Sequence, residues 1–220
     1  MPVIKKYDKN FFKKWSTDMA YVLGFLFADG NLVITKRNTH FISFYTADKS
    51  LLESMRKVMS SDHKISLRKA KSGQVYRMQV GSKEWFNDLC KLGLMPNKTR
   101  RLSLPNIPDK YFSDFVRGYF DGDGNVWVGE IHKNREKPSL TIQVSFTSGC
   151  FSYLRDLRDV FHQKGVCGGS LYSPKNENFT RLTFSVKDAL KISKIMYNAE
   201  HKLFLNRKRS VFEKFEKLRP

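Results

Sequence analysis

One short apolar segment occurs twice in this chain, each time ending in an acid held before a glycine: Tyr21-Val-Leu-Gly-Phe-Leu-Phe-Ala-Asp-Gly-Asn31 and Phe115-Val-Arg-Gly-Tyr-Phe-Asp-Gly-Asp-Gly-Asn125. Val22 matches Val116, Gly24 matches Gly118, Asp29 matches Asp123, Gly30 matches Gly124 and Asn31 matches Asn125. The offset of 94 residues (123 − 29) is too long for a solenoid repeat and suits a small half-domain. The expected object is an internally duplicated, pseudo-two-fold molecule with paired acids.

Read as helices, the copies carry small residues four apart, Gly24 with Ala28 and Gly118 with Gly122, which form a stripe without side chains on one face. Such stripes let two helix backbones approach more closely than the usual ~8–10 Å, and the natural partner of each copy is the other. Gly30 and Gly124 are predicted to close the helices as left-handed caps, leaving Asp29 and Asp123 on the last turns of two adjacent helices. Two carboxylates, the carbonyls of Ala28 and Gly122 and two negative dipole ends then make an oxygen-rich site suited to Mg²⁺.

Charge points to the partner. The 220 residues carry 40 Lys and Arg against 21 Asp and Glu, a formal charge of +19, and no lipid anchor or basic amphipathic stretch directs that charge to a membrane. Nucleic acid is the expected polyanion. No apolar run approaches the ~18 residues of a membrane-spanning helix, and Met1 to Trp15 is too charged for a signal peptide, so an intracellular protein is expected. Cys90, Cys150 and Cys167 form no Cys-x-x-Cys pair, and the five histidines are scattered, so neither a disulfide framework nor a zinc site is expected.

Hydrophobic periodicity repeats one pattern on both sides of a connector. After an N-terminal extension (1–17), the first half (18–92) reads as motif helix, strands Asn31 to Arg37 and His40 to Ala47, a helix with Leu51, Leu52, Met55, Val58 and Met59 on one face, strands Lys64 to Lys69 and Gln74 to Gly81 turning through Lys71-Ser72-Gly73, and a helix around Trp85, Leu89 and Leu92. The connector (93–110) carries Pro96, Pro105 and Pro108, which forbid a long helix. The second half (111–220) repeats the order: strands Gly124 to Lys133 and Leu140 to Thr147, a helix bearing Leu154, Leu157, Val160 and Phe161, strands Gly168 to Pro174 and Phe179 to Val186, then helices near Ala189 to Tyr197 and Arg207 to Leu218. The class is α+β, two αββαββα half-domains whose antiparallel sheets form a saddle with the motif helices at the interface.

One face of each sheet is left free for nucleic acid. Along Ser139 to Thr147, Ile142, Val144 and Phe146 are core, while Thr141, Gln143 and Ser145 point away; on the last strand Arg181, Thr183 and Ser185 do so. In the first half the outward set is Thr35, Arg37, Arg68, Arg77 and Gln79, with Ser43 and Tyr45; Lys133 ends the first hairpin strand of the second half. Arg, Gln, Ser and Thr on long strands supply base-edge donors and acceptors in a form that fits a major groove.

The two segments closely resemble the signature motifs of the LAGLIDADG homing endonucleases, in the monomeric form with both motifs on one chain, and the resemblance extends over nearly the whole sequence. It implies that Asp29 and Asp123 are the metal-binding catalytic acids, whereas Asp121, which faces another side of the helix and is replaced by Phe27 in the first copy, is read as structural. Resemblance to the family's Gly-Leu-x-x-x-Lys-Thr segment, seen here as Gly93-Leu-Met-Pro-Asn-Lys-Thr99, implies a role beside the metals for Lys98, with Lys208 as its counterpart. The glutamine often found near the end of the family's second strand is replaced by Thr46-Ala47 and Thr147-Ser148. The implied activity is Mg²⁺-dependent hydrolysis of both strands of double-stranded DNA at a long asymmetric site, with Mn²⁺ able to substitute. An intron-RNA-binding maturase and a non-cleaving DNA-binding regulator are the alternatives on the same scaffold.

Overall fold

A computed structural model describes residues 5–70, 73–134, 136, 138–199 and 201–218. The first half runs α1 (Thr17–Asp29), β1 (Gly30–Ile34), β2 (His40–Thr46), α2 (Lys49–Val58), β3 (Ile65–Ala70), β4 (Gly73–Gly81) and α3 (Lys83–Lys91). The second repeats this as α4 (Phe112–Asp123), β5 (Gly124–Ile131), β6 (Ser139–Ser148), α5 (Phe151–Gln163), β7 (Ser170–Tyr172), β8 (Thr180–Ser185) and α6 (Val186–Tyr197), then adds α7 (Asn206–Leu218). Each half holds a four-stranded antiparallel sheet, ordered β1-β2-β4-β3 and β5-β6-β8-β7. In the expected turn Lys71-Ser72-Gly73, Lys71 and Ser72 lie outside the described residues.

Local signals account for where α1 and α3 start. Ser16 Oγ accepts the Met19 N–H at 3.1 Å and Ser82 Oγ accepts that of Trp85 at 3.1 Å, each meeting a helix donor that would otherwise lack a partner. The proline-bearing connector forms only single 3-10 turns, at Lys98–Arg100 and Asp109–Tyr111. Strand β7 is shorter than expected, because the backbone N–H groups of Cys167 and Gly168 are turned toward the Asp188 carboxylate (3.2 and 2.9 Å) and are not available to extend the ladder.

Alternation then assigns the layers. Leu32, Ile42, Phe44, Met78 and Val80 in one sheet, and Ile142, Val144, Phe146, Leu182 and Phe184 in the other, pack on helices and are buried, joining one continuous core. Phe11 and Phe12 of the N-terminal segment belong to it too, beneath Trp85, whose indole N–H donates to Asp8 O at 2.8 Å. Among the described residues no helix is long and apolar enough to cross a membrane.

The central feature is the pairing of α1 with α4. A Cβ on Gly24 would stand 2.0 Å from Phe115 O, and one on Gly118 would stand 2.0 Å from Tyr21 O, so each glycine is pressed on the other helix's backbone in a two-fold manner. The expected left-handed caps at Gly30 and Gly124 are not formed. Both residues are extended (φ −87°, ψ 156° and φ −87°, ψ 158°) and begin a strand at once. Their lack of a side chain serves a tight helix-to-strand switch, since a Cβ would lie 2.5 Å from Leu26 O or Phe120 O.

Candidate active site and nucleic-acid interface

Parallel alignment of α1 and α4 brings their last residues, Asp29 and Asp123, to one cleft of about 210 Å³, also lined by Ala28, Lys98, Tyr119 and Ser148. Gly122 makes the approach possible: its position faces the Ala28 side chain and the Asp29 carboxylate directly. Burial, and then the negative charge of Asp123, push the Asp29 carboxyl up to about 6, against the pull of Lys98 and Lys208. Burial likewise raises Asp123. A pair of half-buried carboxylates that repel one another is a site short of positive charge.

Both expected lysines reach this end of the helices, in an unexpected pose. Lys98 Nζ donates to the carbonyls of Phe27 and Ala28. Lys208 Nζ donates to Phe120 O (2.6 Å), Asp121 O (3.0 Å) and Gly124 O (2.6 Å). Each ammonium therefore rests on the negative end of a motif helix. Burial pulls both lysines down to about 8, opposed by the nearby aspartates. The Ala28 carbonyl, expected as a cation ligand, also accepts the Lys98 ammonium, which satisfies a helix-end carbonyl that has no intrahelical partner.

Strand register places the expected contact residues that lie on strands on the open face, whereas Thr35, Arg37 and Lys133 fall just beyond β1 and β5, in the hairpin connections. Ser43 pairs with Gln79, Tyr45 with Arg77, Ser145 with Thr183, Gln143 with Ser185 and Thr147 with Arg181, all opposite in parity to the core rows. Arg37, Arg68, Lys133, Gln143, Arg181 and Ser185 are exposed; Thr35, Tyr45, Arg77, Gln79 and Thr183 are half-buried. Arg77 lies over the Tyr45 ring at 5.8 Å, and Thr35 is engaged in a turn, accepting the Thr39 N–H at 3.1 Å. Ser43, Thr141 and Ser145 are corrected: they face the open side yet are buried, because short side chains on central strands lie below the level of their longer neighbours.

The face also holds residues the sequence reading passed over. Trp127 pairs with Gln143, and its ring lies along the strand over Gly129; with Tyr172, paired with Arg181, it gives the second sheet two exposed aromatics. Alternation of Trp127 with Val126 and Val128 would have located it.

Several solved structures share this architecture. I-SmaMI bound to an uncleaved DNA target with calcium ions superposes with a TM-score of 0.63 at 12% identity over 93% of this chain and 90% of that one. The I-SmaMI LAGLIDADG homing endonuclease bound to cleaved DNA gives 0.65 at 12% identity over 93% and 89%. Mesophilic variants of the homing endonuclease I-DmoI give 0.59 at 14% identity over 87% and 98%. The fold is that of the LAGLIDADG homing endonucleases. No family model and no curated protein matches the chain.

Within the LAGLIDADG fold, the side-chain donors at the cleft other than Lys98 and Thr99 are the carboxylates of Asp29 and Asp123 and the hydroxyls of Ser148 and Tyr119, and among the described residues no cluster of three or more His, Cys, Asp or Glu could hold a metal ion. An oxygen-only set fits a hard cation that keeps several of its waters. The raised acids predict a pH dependence. Between about pH 4 and 6 the native Asp29 carboxyl holds a proton that the unfolded chain releases, so the stability that Asp29 contributes in the absence of a cation is lost as pH rises through that window. A divalent ion that binds the charged form reverses this. A hard divalent cation held by the two acids would raise Tm at pH 7.5 and leave it unchanged at pH 4.5, and an equal shift at both values would contradict the site.

Proposed function

We propose that this chain is a site-specific double-strand DNA endonuclease that acts as a monomer and uses Mg²⁺, with Mn²⁺ able to substitute. The carrying observation is the meeting of Asp29 and Asp123 at the ends of two helices packed backbone to backbone, in a chain of charge +19 with two open sheet faces. In this reading residues 18–92 and 111–220 are half-domains, each lying along one half of the target. The two aspartates hold the divalent ion, which when bound supplies charge neutralisation and an activated water. Lys98 and Lys208 hold the helix ends in place and set positive charge beside the scissile phosphates. Unequal side chains on the two faces, Val33 where the other half has Trp127 for instance, match an asymmetric target. Retention of both half-buried acids weighs against a regulator that only binds, since anions beside phosphates weaken binding.

A randomised-duplex library incubated with Mg²⁺ tests the activity and finds the target together; no enriched cleavage product, with a defined duplex still bound, would leave a binding protein. On that target, about eight phosphate contacts give a slope of log K against log salt near −7, and a slope shallower than about −2 contradicts the extended-face reading. Arg77→Ala and Arg181→Ala are each expected to relax preference at a few base positions, costing about 1–3 kcal/mol of discrimination there. Unchanged target profiles in both variants would show that the open faces do not read the bases.

A further inference from the structure

Arg117 and Asp121 lie on successive turns of α4, and both are directed at one segment of chain. Arg117, only 2% exposed, donates from Nε to Leu203 O at 3.0 Å and from Nη1 to Met196 O at 2.9 Å, while Nη2 pairs with Asp114 at 2.6 Å. Asp121 accepts the backbone N–H of Leu205 at 2.8 Å and the Tyr21 hydroxyl at 2.6 Å. The segment so held runs straight into α7, whose third residue is Lys208, and the Lys208 N–H closes on Leu205 O at 3.0 Å.

The first motif helix has no such anchor. Its positions equivalent to Arg117 and Asp121 are Leu23 and Phe27, both apolar and buried. Lys98 arrives instead on the connector, seated by close packing of Thr99 on Gly149 of the other half. The two lysines thus reach matching places by different means, one tethered by buried polar contacts and one wedged between halves.

We propose that Asp121, assisted by Arg117, is a positioning residue for Lys208: it fixes the entry to α7 so that the Lys208 ammonium lands on the end of α4. The inference rests on the endonuclease reading and adds that the two strand cuts depend unequally on this acid. Without the Asp121 acceptor the Leu205 N–H is left buried and unpaired, the start of α7 shifts to relieve it, and Lys208 is displaced. A displacement of ~1 Å is enough to slow a reaction on the order of 10²-fold.

Strand-specific cutting of a supercoiled plasmid bearing the target provides the test, with amide exchange of residues 203–208 measured on the protein alone. Asp121→Leu is expected to slow one strand at least about tenfold relative to the other, so that nicked circle accumulates, and to speed exchange at Leu205. Lys208→Ala should give the same skew, and the double variant should be no worse than either single one, as required if Asp121 acts through Lys208. Tyr21→Phe, which removes the other hydrogen bond of the same carboxylate, should keep the wild-type strand ratio. If Asp121→Leu does not fold, Arg117→Lys, too short to span Met196 and Leu203, carries the same expectation. Equal slowing of both strands, additive losses in the double variant or unchanged exchange at Leu205 would overturn the proposal. Wild-type protein that cuts no duplex would instead defeat the endonuclease reading, and amide exchange alone would then decide whether Asp121 anchors α7.

Discussion

Asp29→Asn and Asp123→Asn are each expected to lower the cutting of both strands by at least about 10²–10³-fold while duplex affinity holds or improves. Each substitution keeps the shape of the side chain at the end of a helix whose packing is set elsewhere, by Gly24 and Gly118. What it removes is one of two negative charges in a cleft where burial already disfavours charge. A divalent ion loses half of its formal counter-charge, and a phosphate brought to the cleft meets less repulsion. Because the two acids face one cleft, neither variant is expected to favour one strand, unlike the Asp121 variant, for which a strand skew is expected. Rates for the separate strands in Mg²⁺, measured beside duplex affinity, check all of this. Full double-strand cutting by either variant would remove the shared-acid mechanism, and joint loss of binding and cutting would show that the aspartates hold the fold.

Gly24→Ala and Gly118→Ala are expected to be severely destabilising, against the usual sign. In an exposed helix, Ala in place of Gly stabilises by roughly 0.5–1 kcal/mol, because Gly loses more conformational freedom on folding. Here the added methyl would sit 2.0 Å from a carbonyl oxygen of the opposite helix, Phe115 O for Gly24 and Tyr21 O for Gly118. Backbone cannot rotate away as a side chain does, so the helices must separate along their whole contact. Overpacking of a core costs typically ~1–3 kcal/mol and occasionally more, and a domain has only ~5–15 to lose. A loss of about 3 kcal/mol lowers Tm by roughly 6–12 °C in a chain of this size. Separation would also move Asp29 from Asp123, so surviving folded protein should lose Mg²⁺-induced stabilisation. Thermal melts with and without Mg²⁺ check both effects, and a rise in Tm for either variant would show that the helices do not meet here.

Sequence alone went far where one residue's type and spacing carry the physics. The period of two in Leu140 to Thr147 and the helical spacing of Leu51, Leu52, Met55 and Met59 reflect burial on one side, which depends only on the order of residues along the chain; the strands and helices appear within a few residues of their expected bounds. The duplication did more, since a second Asp-Gly at the same offset predicts a partner for each helix, and the glycines meet as anticipated. It did not reveal what Gly30 and Gly124 do, because a glycine needed for left-handed backbone and one needed for close approach are the same letter.

Tertiary structure decided the rest. That Lys98 and Lys208 bond carbonyls at the helix ends, that Ser43, Thr141 and Ser145 are buried on the sheet, and that Asp121 is tied to Leu205 and Tyr21 are facts about residues distant in sequence. The sequence by itself determined the duplication, the element order, the outward parity of the strands and the two acids, all of which follow from periodicity and identity along the chain. Only the tertiary structure decided hydrogen-bond partners and the depth of each side chain. Those depend on the volumes and directions of neighbours that the chain brings together from far apart, and no local pattern encodes them.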